Sequence, residues 1–460
     1  MPIETRNPAT GELVEAFHEL TGDEIDSRLD LAFGCYQRYR GLGYKERAVL
    51  LRRAADLLAE RVEEIARVIT IEIGRPLGGS RAEVLKSAKG LRFYADNGAA
   101  FMADEPIDAR LVGAGAAYTR WEPIGPVLAV MPWNYPLWQV FRFAAPALMA
   151  GNTCVLKHAS NVPRSAVLIE ETFRDAGFPA GAFQTLLVGS GAVAALIADH
   201  RIAAVTITGS EAAGRSVASA AGAALKKSVL ELGGSDAFVV MPSADLAAAA
   251  QAGAQSRLQN AGQSCICAKR FVVHQAVYDE FLSLLVKEMA AYEPGDPFEA
   301  ATNLGPLATR SGLADVAGLV DDAIALGAVA VIGGRSIEGA GWFYPPTVLK
   351  GITAQMRVAR EEVFGPVALV YSASDLDDAI RIANSTNLGL SSNAWTGDTT
   401  EAAELVWRLD AGGVFINGAT ASFPELPFGG IKASGYGREL AALGMREFCN
   451  AKTVWIAASK

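Results

Sequence analysis

The chain has 460 residues, 51% of them hydrophobic and 20% charged, with a net charge of −9 and a pI near 5.2. That length calls for more than one hydrophobic core, and the acidic balance argues against nucleic acid or an anionic membrane as partner, since either demands a basic face. Five scattered cysteines suit a reducing compartment better than a disulfide framework, and four histidines without ligand spacing give metal catalysis no support. The start, Met1 to Arg6, lacks the basic flank and apolar run of an export signal, and no uninterrupted apolar span reaches membrane length. The expectation is a cytoplasmic protein that acts on small molecules.

From about Thr21 to Asn97, Ile25, Leu29, Leu31 and Ala32 recur at helical spacing, as do Leu50, Leu51, Ala55 and Leu58, which predicts charged, alanine-rich packing helices. Between Ala103 and Trp121 the pattern shortens and alternates, and Ala117-Tyr118-Thr119-Arg120-Trp121 predicts a β-hairpin. From Gly125 to Gly234, apolar runs at Val127 to Met131, Thr153 to Lys157, Gln184 to Val188, Ala203 to Thr208 and Ser228 to Leu232 alternate with helical stretches. That is the sequence form of a doubly wound parallel sheet. A second α/β region follows from about Ser235 to Ala433, with an alanine-rich helix near Ala247 to Ala254.

Several short motifs punctuate these elements. Met131-Pro132-Trp133-Asn134-Tyr135-Pro136 sets a side-chain amide, Asn134, at the mouth of a helix, where it can donate to a developing oxyanion. Pro136 at the helix start puts Trp138 and Arg142 four residues apart on one face. Arg142 is either a clamp for a carboxylate or half of a structural ion pair. His158 and His274 read as structural or exposed residues. Gly189-Ser190-Gly191-Ala192-Val193-Ala194 matches a dinucleotide fingerprint, but no acidic residue ends a strand about twenty positions later, so it is read as a plain strand-to-helix turn. Thr206 to Gly214 is the better phosphate site: Gly209 closes a strand and Ser210 opens a helix whose free N–H groups attract anions, an ordinary N-cap being the other reading of Ser210.

Glu231 is a lone carboxylate inside Val229-Leu230-Glu231-Leu232-Gly233-Gly234, and partial burial would raise its pKa toward that of a base working near neutral pH. In Asn260 to Arg270, Cys265 lies just beyond a glycine turn with Lys269 and Arg270 nearby, a setting for a reactive thiolate. The competing reading makes Cys265 and Cys267 small buried residues leading into a strand. Their spacing also raises a reversible redox pair, although an extended strand would hold the two thiols near the limit for a disulfide. Glu361 to Pro366 forms a turn, and Pro427 to Glu439 is a glycine-punctuated loop before a short helix and a last strand.

With Asn134, Glu231 and Cys265 in this order, the chain resembles the aldehyde dehydrogenase superfamily, from Asn7-Pro8-Ala9-Thr10-Gly11 to Asn450-Ala451-Lys452-Thr453-Val454-Trp455. The resemblance implies an α/β fold: a doubly wound cofactor-binding domain (residues 1–103 and 124–234), an α/β catalytic domain (235–433), and a small β oligomerisation arm (104–123 and 440–460) that builds a homodimer or homotetramer. It also implies that Cys265 attacks an aldehyde, Asn134 and the Cys265 N–H hold the oxyanion, and Glu231 activates the water that hydrolyses a thioester.

By the same resemblance Lys157 holds the adenine-side ribose, Gly209 and Ser210 the phosphates, Glu362 and Phe364 the nicotinamide ribose, and Trp133 lines the cofactor channel. Ser160 stands where NAD-preferring relatives often carry a glutamate, leaving room for a 2′-phosphate, so NADP is expected alongside NAD. Trp138 to Arg142 together with Leu156 to Ala159 resembles the short bacterial succinate-semialdehyde dehydrogenases, which makes Arg142, Trp138 and Ser422 substrate residues. Longer members often place a second arginine where this chain has Gln259. The alternative is an aldehyde dehydrogenase for other aliphatic or aromatic aldehydes. Glu231 argues against a CoA-acylating enzyme, and the intact trio against a protein that keeps the fold without turnover.

Overall fold

The computed structural model describes residues 2–459. Four helices, Gly22–Tyr39, Tyr44–Glu60, Val62–Ile73 and Leu77–Phe101, occupy the region of helical periodicity. Thr21 starts the first with a capping box: the Glu24 N–H donates to the Thr21 hydroxyl, and Glu24 in turn accepts from the Thr21 N–H. Leu29, Ala32, Cys35, Tyr36 and Tyr39 form its buried stripe.

A six-stranded sheet runs in the order Gly435–Tyr436, Lys227–Glu231, Ala204–Thr208, Val127–Met131, Cys154–His158, Phe183–Thr185. All neighbours are parallel except the first pair. The inner strands are apolar on both faces because helices cover both, which is why they read as continuous runs rather than alternating ones. The run predicted at Gln184 to Val188 keeps only Phe183–Thr185 as strand, since the Val188 N–H turns back onto Leu186 O.

The order of this sheet reverses at Val127–Met131: later strands lie on one side of it as far as Thr185, then on the other from Ala204. Such a switch point opens a crevice at the carboxyl ends of the strands. Trp133, Asn134, Ser160, Gly209, Ser210 and Glu231 all lie at or just past those ends.

A second, seven-stranded sheet has the order Val329–Ile332, Thr347–Lys350, Val367–Ala373, Arg270–His274, Ala237–Val240, Ser391–Trp395, Gly413–Ile416, parallel apart from its first pair. Only five residues separate Glu231 from Ala237, so the carboxyl edge of one sheet abuts the amino edge of the other. The predicted hairpin is present and is extended to a third strand: Ala116–Pro123 pairs antiparallel with the preceding Glu105–Ile107 and, on its other side, with Cys449–Ile456. The glycine-punctuated loop near the end of the chain contributes Gly435–Tyr436 back to the edge of the first sheet.

Candidate active site

The cleft between the two sheets is built around the turn that carries Cys265. Asn260, Ala261 and Gly262 follow one another in the left-handed region, with φ of 52°, 52° and 74°. A Cβ on Gly262 would lie 2.2 Å from Gly365 O, so this close approach admits no side chain. At Gly234 a Cβ would meet Cys265 O at 2.4 Å, which is how the end of the Glu231 strand nests against the nucleophile turn.

Lys269 is buried beneath the turn, where its ammonium donates to Ser264 O (2.9 Å) and Cys265 O (2.8 Å) and pairs with Glu362 at 3.1 Å. Arg270 turns the other way, to Ser235 O and to Ile382 O and Ala383 O near the end of the helix Leu376–Asn384. These cations fasten the backbone, and of the two Lys269 also acts electrostatically in favour of the Cys265 thiolate, an effect that burial outweighs. Burial pushes the Cys265 thiol up to about 12, so at rest it is protonated. Cys267, the second thiol of the possible redox pair, lies deeper than Cys265. Cys267 is fully buried, donates to Ser264 O at 2.9 Å and accepts from Arg257 at 3.0 Å, and all five cysteines are free thiols.

Asn134 reaches the same turn, with its Nδ2 donating to Gln263 O at 3.1 Å and its Oδ1 unpartnered. Its backbone is clamped from two sides, because Asn134 O accepts from Arg75 and from Asn260 Nδ2. Arg75 pairs in turn with Glu83, whose second oxygen caps the helix Trp138–Ala150 by accepting from Leu137 N (2.8 Å) and Trp138 N (2.9 Å). His158 fixes the neighbouring loop: its Nε2–H donates to Pro136 O at 2.8 Å while Nδ1 accepts from Ala159 N, and burial pushes its pKa down to about 4. It is a neutral, structural histidine. His274 accepts from Ala276 N and caps a short turn.

Glu231 is 2% exposed, and neither carboxylate oxygen has a hydrogen-bond partner. Burial raises its pKa, and the neighbouring carboxylate Glu439 raises it further. A raised acid with free lone pairs, within electrostatic range of the Cys265 thiol, is equipped to accept a proton.

Arg142 lines the cavity of Cys265 and forms the ion pair that the sequence left open. Its guanidinium is buried in an ion pair with Glu439, donates to Thr208 Oγ1 at 3.3 Å, and lies 4.7 Å from the centre of the Phe428 ring. Its carboxylate partner is thus part of the protein, the alternative left open by the sequence.

Two cavities flank the trio. One of about 710 Å³ is lined by Cys265, Trp138, Arg142, Ser422, Gln259 and Lys86. The other, of about 1060 Å³, is lined by Trp133, Lys157, Ser160 and also Ser190. Trp133 meets Phe364 edge to face at 5.7 Å between centroids. Lys157 is buried and makes no ion pair among the described residues, and burial lowers its pKa. Gly209 and Ser210 do not line this cavity, and Ser210 Oγ accepts from Ala213 N at 3.3 Å as an N-cap. The turn read as a decoy does reach the cavity, through Ser190.

Arg75, Glu83, Lys86 and Glu439 went unrecognised in the sequence. Glu439 stood inside a quoted motif, but nothing local told that it would meet Arg142 across the sheet.

A doubly wound sheet with a switch-point cavity, joined to a cysteine turn with an amide and a free carboxylate, defines an enzyme of covalent thiol chemistry. The chain belongs to the aldehyde dehydrogenase family, whose sequence profile matches residues 1–454. It is 55% identical over 457 residues to the NADP(+)-type succinate-semialdehyde dehydrogenase 1 of Mycobacterium ulcerans (strain Agy99), covering 99% of this chain and 100% of that one. Among solved structures, succinic semialdehyde dehydrogenase from Streptococcus pyogenes in complex with NADP+ matches at TM-score 0.96 and 37% identity, with 99% and 100% of the two chains covered. The succinate-semialdehyde dehydrogenase of Burkholderia pseudomallei matches at TM-score 0.96 and 32% identity, over 100% and 95%.

Proposed function

We propose that this protein oxidises succinic semialdehyde to succinate with NADP+ through a covalent adduct on Cys265. The observation that carries the chemistry is the unpartnered, buried Glu231 carboxylate within electrostatic range of Cys265, with Asn134 bonded to the turn that carries the thiol. The choice of aldehyde and cofactor is supported by the full-length similarity to succinate-semialdehyde dehydrogenases named for NADP(+).

The thiol is neutral at rest, so it must lose its proton before it attacks, and Glu231 is the free base to receive it. The Cys265 sulfur then bonds to the aldehyde carbon, and the carbonyl electron pair moves onto oxygen, where the second Nδ2 hydrogen of Asn134 can stabilise it. Arg75 and Asn260 keep that amide in place through the Asn134 carbonyl. NADP+, when bound, supplies the hydride acceptor. The oxidised form of the adduct is a thioester; Glu231, once it has released the thiol proton to solvent, draws a proton from the water that attacks the thioester carbon, and as the C–S bond breaks that proton passes to the departing sulfur, releasing the acid and returning the thiol.

The larger cavity fits the cofactor by the chemistry of its lining. Lys157 offers a buried ammonium with no ion pair, and the short Ser160 leaves space for a 2′-phosphate. Trp133 lines this cavity and packs edge to face on Phe364, and Glu362 is held by Lys269 beneath the cysteine turn. Gly209 and Ser210 serve the cofactor only from outside the cavity, if its phosphates extend past Ser190.

Homo-oligomeric assembly, as a dimer or tetramer, is part of the same reading. Cys449–Ile456 is an edge strand with one unpaired side, and Trp455 and Ile456 are 52% and 50% exposed on it. Five free thiols support a cytoplasmic setting, and no helix among the described residues is long and apolar enough to cross a membrane.

Steady-state kinetics with succinic semialdehyde, butanal and benzaldehyde, each under NADP+ and NAD+, test this function. The highest kcat/KM should fall to succinic semialdehyde with NADP+. Equal constants for all three aldehydes would return the protein to an aldehyde dehydrogenase without carboxylate selectivity.

A further inference from the structure

Lys269 is 1% exposed, and its backbone is fixed in the second sheet, with its N–H donating to Asp236 O and its carbonyl accepting from Leu369 N, each at 3.0 Å. From that root the side chain reaches the cysteine turn. Two of its three ammonium hydrogens go to Ser264 O and Cys265 O, and the Cys267 carbonyl at 3.5 Å lies at the limit of a bond. Glu362 Oε1 lies 3.1 Å from the same nitrogen, in an ion pair whose angle does not make a hydrogen bond. Cys267, Asp236 and Arg257 also bear on the ammonium, but Glu362 is its one carboxylate within ion-pair distance among the described residues.

Glu362 belongs to the turn from Glu361 to Pro366, where two adjacent acids divide: Glu361 pairs with Arg357 on the surface, and Glu362 turns inward to Lys269. Its side chain is 21% exposed, so ligands can reach it. The second oxygen, Oε2, faces the loop that leaves the Glu231 strand, and a Cβ on Gly233 would lie 2.5 Å from it. No group among the described residues bonds to Oε2, and no other cation forms an ion pair with Glu362. One carboxylate oxygen is therefore held by the protein, and the other is an open acceptor at the junction of the two sheets.

We propose that Lys269 is a positioning residue for the nicotinamide end of the cofactor: it holds the Glu362 carboxylate with Oε2 presented to the adjoining ribose hydroxyls. This rests on the proposed use of NADP+, with Glu362 as ligand of that ribose, and specifies the side chain that aims Glu362. Ordering a glutamate on binding costs rotamer freedom, and a counter-ion that orders it beforehand removes that cost from the binding step. The same ammonium fastens Cys265 O, so one side chain rooted in the second sheet sets both the thiol turn and the ribose acceptor. Gly233 completes the arrangement, because a side chain there would take the space of Oε2.

The test is calorimetric titration of two ligands, NADP+ and adenosine 2′,5′-bisphosphate, which has the adenine half and the 2′-phosphate but no nicotinamide ribose. Lys269→Met should raise the Kd for NADP+ about 5- to 50-fold and leave that of the bisphosphate within about twofold. Lys269→Gln, which can still donate to the turn carbonyls but carries no charge, should show the same contrast and decides the question if the Met variant fails to fold. Glu362→Gln should show it too, and the double variant Lys269→Met/Glu362→Gln should bind NADP+ no more weakly than the weaker single variant. Equal losses on both ligands in the Lys269 variants would make Lys269 a support of the fold alone and overturn the inference. Unchanged NADP+ binding in those variants, or additive losses in the double variant, would overturn it as well. If Glu362→Gln binds NADP+ like the wild type, Glu362 leaves the cofactor site and Lys269 has nothing to position; a loss in Glu362→Gln without one in the Lys269 variants refutes the role of Lys269 alone. A wild type that binds neither ligand would refute the proposed cofactor, and this inference with it.

Discussion

Replacing Arg142 by Met keeps most of the side-chain volume and removes the charge, which leaves Glu439 buried without its partner. Breaking a buried ion pair from one side costs about 3–5 kcal/mol. The pH dependence follows from Glu439: burial raises its pKa above the ordinary 4.5 and Arg142 pulls it back down. Without Arg142 the folded-state pKa climbs further. Below about pH 4.5 the carboxyl is protonated in both folded and unfolded chains and the variant loses little. As pH rises past that value the unfolded chain releases the proton while the folded one retains it, so the loss grows by up to ~1.4 kcal/mol per unit. Urea denaturation followed by tryptophan fluorescence should therefore show a deficit of about 3–5 kcal/mol at pH 8 and a smaller one at pH 5.5. The double variant Arg142→Met/Glu439→Leu should be more stable than Arg142→Met alone. Activity losses on succinic semialdehyde and butanal should be alike. A variant within about 0.5 kcal/mol of wild type at both pH values, with a loss confined to succinic semialdehyde, would refute this reasoning and make Arg142 a substrate contact.

Cys265→Ala should abolish turnover while NADP+ still quenches tryptophan fluorescence, because Lys157 and Trp133 lie in the other cavity; substantial residual oxidation would dismiss Cys265 as nucleophile. Glu231→Gln should give at most a burst of reduced cofactor and then slow turnover. Because burial raises the pKa of Glu231, wild-type activity should climb from pH 6 into the alkaline range, and this climb should be lost in the variant; a retained acid limb would point to another base. Ser160→Glu should shift the ratio of specificity constants toward NAD+ by setting a carboxylate where the 2′-phosphate is expected, and an unchanged ratio would locate the phosphate site elsewhere.

The strands of the first sheet were legible to within a few residues, because helices cover both faces and leave long apolar runs. The trio was legible as well, each member standing out locally: an amide at a helix mouth, an acid in an apolar run, a thiol after a glycine turn. The state of each member was not. Lys269 and Arg270 lie beside Cys265 in sequence, yet both fold beneath the backbone to satisfy carbonyls, and it is burial, which a linear motif does not show, that dominates the thiol. Arg142 and Glu439 meet only because the Gly435–Tyr436 strand returns to the first sheet, and Lys86 reaches Ser422 from a helix far away in sequence. Pairings of this kind depend on tertiary approach, on which local periodicity is silent.

The return of Gly435–Tyr436 to the edge of the Lys227–Glu231 strand also sets an order on biogenesis. While the ribosome adds the roughly 200 residues between them, on the order of 10–40 s at ordinary elongation rates, the nascent first sheet has an open edge. Throughout that interval Arg142 has no acid to pair with, and an unpaired strand edge is a template for pairing with other chains. The edge of the first sheet is therefore covered only once Gly435–Tyr436 has been made and has folded back onto Leu230 and Glu231.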